Sequence, residues 1–269
     1  MERIAFIGGG NMASAIIGGL VASGVAPGAI RVVEPLAAQR DKLHAAFAIA
    51  PLASADASLA GSDLVVWAIK PQAFAEAAAP CAAHVGQALH LSVMAGIRSD
   101  AIARAVRTER VVRAMPNTPA LIGMGIAGLY ARAAVTGVDR ERVEQLLAPT
   151  GRTLWVEREA DLDAVTALSG SGPAYVFYFA EAMTAAAQAM GLAPGVGRQL
   201  ALATFAGATE LALRSDDPLE LLRARVTSKG GTTFAALESL ERDGVQAAIV
   251  NAVRAAQERA RELGDEFGA

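Results

Sequence analysis

Two glycines and an alanine near the amino terminus have the clearest chemical meaning. Gly8, Gly10 and Ala13 form a G-x-G-x-x-A pattern that follows the apolar run Ile4–Ile7 and opens a helical pattern beginning at Asn11. The first glycine permits a tight turn, the second lets a pyrophosphate approach the backbone, and the alanine lets helix and strand pack closely. The unpaired N–H groups of the helix start then hold the phosphates. This arrangement predicts a dinucleotide-binding loop.

Glu34 is a second residue with a predicted contact to a dinucleotide. It ends the predicted strand Arg31–Glu34, 24 residues beyond Gly10, where an acidic side chain usually accepts hydrogen bonds from the adenosine ribose. A carboxylate there repels a 2′-phosphate and favours NADH over NADPH, but Arg31 and Arg40 leave both cofactors open. The alternative is a solvated glutamate at a strand end.

The elements around these residues alternate between strand and helix as far as about residue 115. The predicted strands are Ile4–Ile7, Arg31–Glu34, Leu64–Ile69, Ala88–Val93 and Arg110–Arg113. The predicted helices between them are Asn11–Ser23, Ala37–Phe47 and Ser99–Val106. Such alternation implies right-handed crossovers and a doubly wound parallel sheet of the Rossmann type.

Two further segments follow predicted strands. Ala68–Pro71 (AIKP) lies at the carboxyl edge of the sheet, where ligands bind in open α/β folds. Lys70 in this segment either neutralises a cofactor phosphate or is an ordinary exposed lysine. Arg113–Ala120 (RAMPNTPA) places two prolines around Asn117 and Thr118, which predicts a rigid turn with oriented polar groups.

The second half of the chain reads as helical throughout. Three predicted helices open at proline, and the full set is Pro173–Met190, Pro194–Arg214, Pro218–Arg225, Thr232–Arg242 and Val245–Leu263. Many of their positions are alanine or glycine, with little aromatic bulk, so the apolar faces are expected to pack against a second chain. We therefore divide the chain into a dinucleotide-binding domain, residues 1–158, and an all-helical domain, residues 159–269.

A polar loop precedes the fourth of these helices. The segment Val226–Thr233 (VTSKGGTT) offers uncovered backbone N–H groups and hydroxyls, at Ser228, Gly230, Gly231, Thr232 and Thr233. The orphan amides of a helix start bind small anions such as a carboxylate. The alternative is an ordinary helix start with glycines for the turn. A third segment, Ala167–Tyr175 (ALSGSGPAY), has small residues suited to packing as much as to a ligand.

Composition excludes several classes of function. The 269 residues are 53% hydrophobic and carry a net charge of −3, which argues against disorder and against nucleic-acid binding. The single cysteine, Cys81, excludes a disulfide framework, and His44, His84 and His90 lack paired ligand spacing, so no metal site is expected. We find no signal-peptide pattern and no membrane span, and therefore expect a cytoplasmic protein.

The combination of FIGGGNM, AIKPQ, MPNTPA, LSGSGPAYVF and VTSKGGTT resembles the Δ1-pyrroline-5-carboxylate reductase family from end to end. The resemblance implies a Rossmann domain, a helical dimerisation domain, and reduction of 1-pyrroline-5-carboxylate to L-proline with NADH or NADPH. It also implies a homodimer, and relatives form rings of dimers. Neither a nucleic acid nor a membrane is an expected partner.

The resemblance further implies roles for individual residues. Together with the glycine motif, the strand-end acid and the proline turn described above, it gives the residues expected to contact the cofactor: Phe6, Ile7, Gly8, Gly9, Gly10, Asn11, Met12, Ala13, Glu34, Ala68, Ile69, Lys70, Pro71, Val93, Met94, Ala95, Asn117 and Glu159. Those expected to hold the substrate carboxylate are Ser228, Gly230, Gly231 and Thr232. Thr233 is the expected catalytic residue, because its counterpart hydrogen-bonds the ring nitrogen of the substrate.

The chain departs from the family pattern at three places. Glu34 replaces the small hydroxyl residue of NADPH-using relatives, Ala55 and Asp56 replace an asparagine near the adenosine, and Lys229 replaces a proline.

Two other functions compete with this interpretation. A β-hydroxyacid dehydrogenase would need a lysine on the helix Pro173–Met190, which has none. A nucleotide-binding sensor without catalysis is the competitor of another class.

Overall fold

The computed structural model describes residues 2–267 and divides them into two compact units. The first unit runs to Ser171 and includes the stretch from Ala256 onward, and the second is Gly172–Ala255. The first unit thus extends past residue 158, because the short helix Asp161–Val165 packs on the sheet and buries Leu162. The boundary of the functional domains after residue 158 stays a prediction.

One sheet organises the first unit. Among the described residues its strands are β1 Ile4–Ile7, β2 Ile30–Val33, β3 Leu64–Trp67, β4 Leu89–Ser92, β5 Val111–Met115, β6 Gly125–Ala131 and β7 Gly151–Trp155. They lie in the order β2-β1-β3-β4-β5-β6-β7. The predicted α/β class is confirmed, and β1 to β5 are parallel as expected.

The far edge of the sheet adds two strands, β6 and β7, that the sequence analysis did not predict. Strand β6 runs antiparallel to β5, and β7 is parallel to β6. The connection from β5 to β6 is a short turn, Thr118–Ile122, which returns the chain directly, whereas a parallel pair needs a long crossover. The β6 sequence GIAGLYA has two glycines and weak strand propensity, which explains why it was not predicted.

Helices cover both faces of this sheet. They are α1 Asn11–Ala22, α2 Ala37–Phe47, α3 Phe74–Val85, α4 Ser99–Val106, α5 Gly137–Leu147 and α6 Asp161–Val165. Side chains of β1 alternate between two apolar clusters, Phe6 packing with α1, α2 and α5, and Ile7 with α3 and α4. Double coverage explains why β1 and β3 are apolar at every position. Helix α3 was missed because Pro80 lies inside it.

The helices from Gly172 onward follow the predictions closely. They are α7 Gly172–Ala189, α8 Pro194–Leu213, α9 Leu219–Arg225, α10 Thr232–Arg242 and α11 Val245–Phe267. Pro194 occupies the first turn of α8, and Gly191, at φ +89°, follows the end of α7. Within residues 2–267 no helix has the length and apolar character that crossing a bilayer requires.

The second unit leaves much apolar surface exposed in the single chain. Phe177 is 59% exposed, Tyr178 71% and Met190 75%. Its buried side chains within residues 172–255 are small, for example Ala187 and Ala201. An apolar surface of this extent is typical of an interface between protein chains.

A buried histidine lies in the middle of the sheet. His90 of β4 accepts a hydrogen bond at Nδ1 from Trp67 Nε1 (3.0 Å), and its Nε2 donates to Val85 O (3.1 Å). The pKa of His90 is lowered to about 4, chiefly by burial and also by the nearby Arg110, while the hydrogen bond to Val85 raises it. His90 is therefore a neutral packing residue.

We predict that His90 makes folding sensitive to acid. Between its ordinary pKa of 6.5 and about 4, the unfolded chain binds a proton that the folded chain excludes, so the free energy of unfolding falls as the pH falls. Denaturation should show that the free energy of unfolding is about 2 kcal/mol lower at about pH 5 than at about pH 7.5. The His90→Gln variant should not show this difference. His84→Gln, at a partly exposed histidine, is the control. An equal acid loss in wild type and His90→Gln would contradict the prediction.

Candidate functional site

The loops that follow β1, β3 and β4 meet at one edge of the sheet. Ala68 N–H donates to Ile7 O (2.8 Å), and Val93 N–H donates to Trp67 O (3.0 Å). The strand order reverses between β1 and β3, and open α/β sheets bind ligands at such a switch point. The structure thus brings together three of the predicted cofactor segments, Gly8–Ala13, Ala68–Pro71 and Val93–Ala95.

Gly8 and Gly10 of the glycine loop must each be glycine for a different physical reason. Gly8 has φ +95°, and a Cβ there would lie 2.5 Å from Ala68 O and 2.6 Å from Ile69 Cγ2. Gly10 is extended, and a Cβ there would meet nothing within 4 Å. Gly8 is therefore required by the fold itself, whereas the space in front of Gly10 is open to a ligand.

Helix α1 begins directly behind Gly10 without a capping side chain. The first main-chain bond of the helix runs from Ser14 N–H to Gly10 O (2.8 Å). The N–H groups of Asn11, Met12 and Ala13 have no acceptor among residues 2–267. Unpaired N–H groups and the positive end of the helix dipole bind anions. The loop therefore fits the pyrophosphate of a dinucleotide.

Several predicted cofactor residues offer only their main chain to this edge. The side chains of Phe6, Ile7, Ala13 and Met94 are buried in the core, each at most 2% exposed. They set the position of the loops but have no free side chain for a ligand. Gly10, Asn11 and Lys70 are exposed, and the Lys70 ammonium makes no ion pair with any described residue.

Glu34 is held against the glycine loop rather than exposed to solvent. Its side chain is buried, its Oε2 accepts from Gly9 N–H (2.9 Å), and its Oε1 accepts from Leu36 N–H (2.9 Å). The alternative of a solvated strand-end glutamate is therefore wrong. The carboxylate fixes the middle peptide of the loop and places a negative charge beside it.

Gln39 is a residue of this site that the sequence analysis missed. Its Nε2 donates to Gly9 O (2.5 Å), so the main-chain N–H and C=O of Gly9 both have side-chain partners. A glutamine in the exposed face of a polar helix carries no recognisable motif, and only the three-dimensional structure identifies the contact.

Asn117 lies at the end of β5 and is oriented by the main chain. Its Oδ1 accepts from Ile126 N–H (3.0 Å) at the start of β6. This bond assigns the amide group, with the NH₂ donors turned away from Ile126. Asn117 therefore closes the turn between two strands, and its cofactor contact stays a prediction.

Glu159 is part of a polar cluster beside the loop that carries Val93–Ala95. Its Oε1 accepts from Ser99 N–H (2.6 Å) and from Arg113 Nη1 (2.9 Å), and its Oε2 accepts from Ser99 Oγ (2.5 Å). Glu159 thus caps the first turn of α4, which follows that loop. Arg132 Nη1 also donates to Ser99 Oγ (3.3 Å).

Arg113 is the second residue that the sequence analysis did not assign. Its side chain is 7% exposed in the pair with Glu159. A buried arginine is rare unless it is paired, so an arginine inside the apolar strand VVRAM (β5) was the available signal. The cluster joins β5 to the start of α4.

The substrate loop predicted from Val226–Thr233 belongs to the second compact unit. Gly230 has φ +74°, and Gly231 is extended at the start of α10 with no side-chain cap. Gly231 N–H donates to Ser228 O (3.0 Å), so the expectation that this amide is uncovered is wrong. The loop exposes Ser228, Thr232 and Thr233, so its hydroxyls and the free amides of α10 can receive an anion.

The segment Ala167–Tyr175 starts with a π-helical turn, Thr166–Gly170. Ser169 Oγ donates to Val165 O (2.9 Å), and a Cβ on Gly170 would lie 2.8 Å from Met115 Cε. The small residues therefore serve close packing, one of the two roles expected from the sequence.

Two family models match this chain. A model described as pyrroline-5-carboxylate reductase dimerisation matches residues 159–263, and one described as NADP oxidoreductase, coenzyme F420-dependent, matches residues 3–96. The helical half and the glycine-loop half are thus each similar to a known family.

Two bacterial relatives match this chain over nearly its full length. The pyrroline-5-carboxylate reductase of Pseudomonas aeruginosa is 45% identical, over 99% of this chain and 98% of the relative. That of Pasteurella multocida is 37% identical, over 97% and 98%.

Solved structures agree with these relatives. A pyrroline-5-carboxylate reductase from Coxiella burnetii has a TM-score of 0.90 at 33% identity, covering 97% of this chain and 98% of that one. The Plasmodium falciparum pyrroline carboxylate reductase with NADP bound has a TM-score of 0.85 at 27% identity, covering 98% of both. With a full-length relative at 45% identity and a matching fold, the chain belongs to the pyrroline-5-carboxylate reductase family.

Proposed function

We propose that this protein reduces 1-pyrroline-5-carboxylate to L-proline with NADH or NADPH, the last step of proline biosynthesis. The observation that carries the proposal is the 45% identity to the Pseudomonas aeruginosa enzyme over nearly the whole of both chains. The cofactor loop at the sheet's switch point supports it. The bacterial relatives support a cytoplasmic location, and the dimerisation model supports self-association, as a homodimer or a ring of dimers.

The cofactor is assigned to the carboxyl edge of the sheet. The open space at Gly10 and the unpaired amides of Asn11–Ala13 receive the pyrophosphate. Glu34 lies on the adenosine side of the loop, while the segments Ala68–Pro71 and Val93–Ala95 line the remainder. The Glu159 cluster holds the turn before α4 and so fixes the last of these segments.

The substrate is assigned to the loop before α10. The amide of Thr232 and the hydroxyl of Ser228 hold its carboxylate, Gly231 shapes the turn through its N–H bond to Ser228 O, and the cation of Lys229 adds attraction for the anion. Thr233 Oγ1 forms a hydrogen bond with the ring nitrogen and orients the C=N bond. When bound, the reduced nicotinamide supplies the hydride that adds to the imine carbon, and a proton on nitrogen completes the amine.

The reaction places few demands on side-chain chemistry. A protonated C=N bond is already electrophilic, so the protein's task is to hold two reactants in the right geometry. Proximity and orientation account for roughly 7–11 kcal/mol of barrier in well-placed intramolecular reactions. This explains why the proposed contacts are mainly backbone amides and hydroxyls, with no lysine on α7.

One assay tests the function against its competitor. The loss of NADH or NADPH absorbance is followed with and without 1-pyrroline-5-carboxylate, and L-proline is identified as the product. A reductase consumes the cofactor only when the imine is present. Cofactor binding without turnover would instead identify a nucleotide sensor and refute the proposal.

We predict that Gly10→Ala weakens cofactor binding without harming the fold. The added methyl group meets no protein atom within 4 Å, but it occupies the space assigned to the pyrophosphate. Titration should show a Kd raised at least about tenfold, with an unchanged unfolding temperature. Gly28→Ala, also at an open position but away from this edge, is the matched control. Wild-type affinity in Gly10→Ala would remove the loop from the cofactor site.

We predict that the Thr233 hydroxyl, rather than its size, supports the reaction. Thr233→Ala and the isosteric Thr233→Val should lower kcat/KM at least tenfold, about 1.4 kcal/mol, because the ring nitrogen loses its partner. Thr233→Ser should retain most of the rate. Steady-state kinetics with saturating cofactor measure all three variants. Equal rates in the valine and serine variants would exclude Thr233 from the mechanism.

A further inference from the structure

We propose that Glu34 makes this reductase select NADH over NADPH. The inference rests on the proposed function, because it deepens the cofactor assignment of the same site. Sequence alone left the choice open, since Arg31 and Arg40 flank the acid. The contacts that Glu34, Arg31 and Arg40 make in the structure decide between NADH and NADPH.

The Glu34 carboxylate cannot turn away from the site. One oxygen is held by Gly9 N–H and the other by Leu36 N–H, each at 2.9 Å, and the side chain is 7% exposed. The two donors belong to different segments, the glycine loop and the start of α2. Moving the carboxylate aside would leave two amide donors without partners, which costs free energy at both.

The fixed carboxylate discriminates between a hydroxyl and a phosphate. An ionised carboxylate has about four acceptor positions, of which the two amides occupy two. Ribose hydroxyls can donate to the remaining positions. A 2′-phosphate has no neutral donor to offer and brings further negative charge, which is repelled most strongly where water is partly excluded.

The position of the carboxylate matches the ribose end of the loop. A Cβ on Gly9 would lie 3.4 Å from Glu34 Oε2, so the acid contacts the turn between β1 and α1 directly. Dinucleotide folds of this type place the adenosine ribose against the acid at the end of the second strand. The charge therefore lies where the two cofactors differ.

The neighbouring arginines are engaged elsewhere. Arg40 Nη1 donates to Glu34 O (2.9 Å) and to Pro35 O (2.7 Å), and Arg31 Nη1 donates to Gly28 O (2.9 Å). Both acceptors of Arg40 are main-chain oxygens, and among residues 2–267 Arg40 makes no ion pair with the Glu34 carboxylate. The Glu34 charge is therefore left unpaired to repel a phosphate dianion.

Equilibrium binding tests the inference without the substrate. The Kd of NADH and of NADPH is measured by nicotinamide fluorescence for wild type, Glu34→Gln, Glu34→Ser and Arg40→Gln. Asp41→Asn, which removes an exposed acid from the same region, is the matched control. The ratio of the two Kd values is the readout, because damage to the loop weakens both cofactors alike.

We expect wild type to bind NADH at least about tenfold more tightly than NADPH, and both Glu34 variants to shrink that ratio at least about tenfold. Arg40→Gln and Asp41→Asn should keep the ratio within about threefold. The inference is overturned if wild type binds NADPH as tightly as NADH, or if the Glu34 variants keep the wild-type ratio. A selective loss of NADPH affinity in Arg40→Gln would overturn it too, by making Arg40 a phosphate receptor.

The failure of this inference and that of the proposed function are distinguishable. A chain that reduces the imine faster with NADPH refutes the cofactor selection and retains the function. A chain that selects NADH but does not reduce the imine refutes the function and retains the selection. The wild-type ratio alone decides the inference if the Glu34 variants do not fold.

Discussion

The candidate cofactor site depends on one peptide group that side chains hold from both directions. Gly9 donates its N–H to Glu34 and receives a hydrogen bond from Gln39 at its C=O. A glycine-rich turn has high conformational freedom, and these two bonds remove it. The unpaired amides of α1 are then presented in one fixed direction, as an anion site requires.

Close packing between neighbouring strands of the sheet makes this arrangement possible. Gly8 lies so close to Ala68 O that no Cβ fits, which brings the ends of β1 and β3 into contact at the switch point. Burial on both faces holds these strands in register. The apolar core therefore acts on the site indirectly, by fixing where each strand ends and each loop begins.

Local patterns in the sequence identified the elements whose signals lie close together along the chain. The β1 strand and its glycine turn, and the helices that start at Pro194 and Thr232, are of this kind. Strand β6 could not be found, because its stability comes from pairing with β5 and β7 rather than from its own glycine-containing sequence. Helix α3 tolerates Pro80 only because neighbouring elements bury Ala78 and Cys81.

The side-chain partners were the least predictable part of the candidate site. Glu34 was recognised as an acid at the right place, but its bonds to Gly9 and Leu36 depend on how two loops fold together. The pairing of Arg113 with Glu159 spans 46 positions of sequence. No fixed spacing along the sequence reveals such contacts, because tertiary structure alone brings the residues together.

Two helix starts led by an extended glycine are the ones used in the proposed chemistry. Helices α1 and α10 begin behind extended glycines, Gly10 and Gly231, and no side chain caps either one. Helix α5, by contrast, has a complete capping box from Thr136 and Asp139, and Glu159 caps α4. A cap stabilises a helix by about 1 kcal/mol, so an open start sacrifices stability. In the proposed mechanism, cofactor and substrate each carry an anionic group, and each of the two helix starts behind an extended glycine receives one of them.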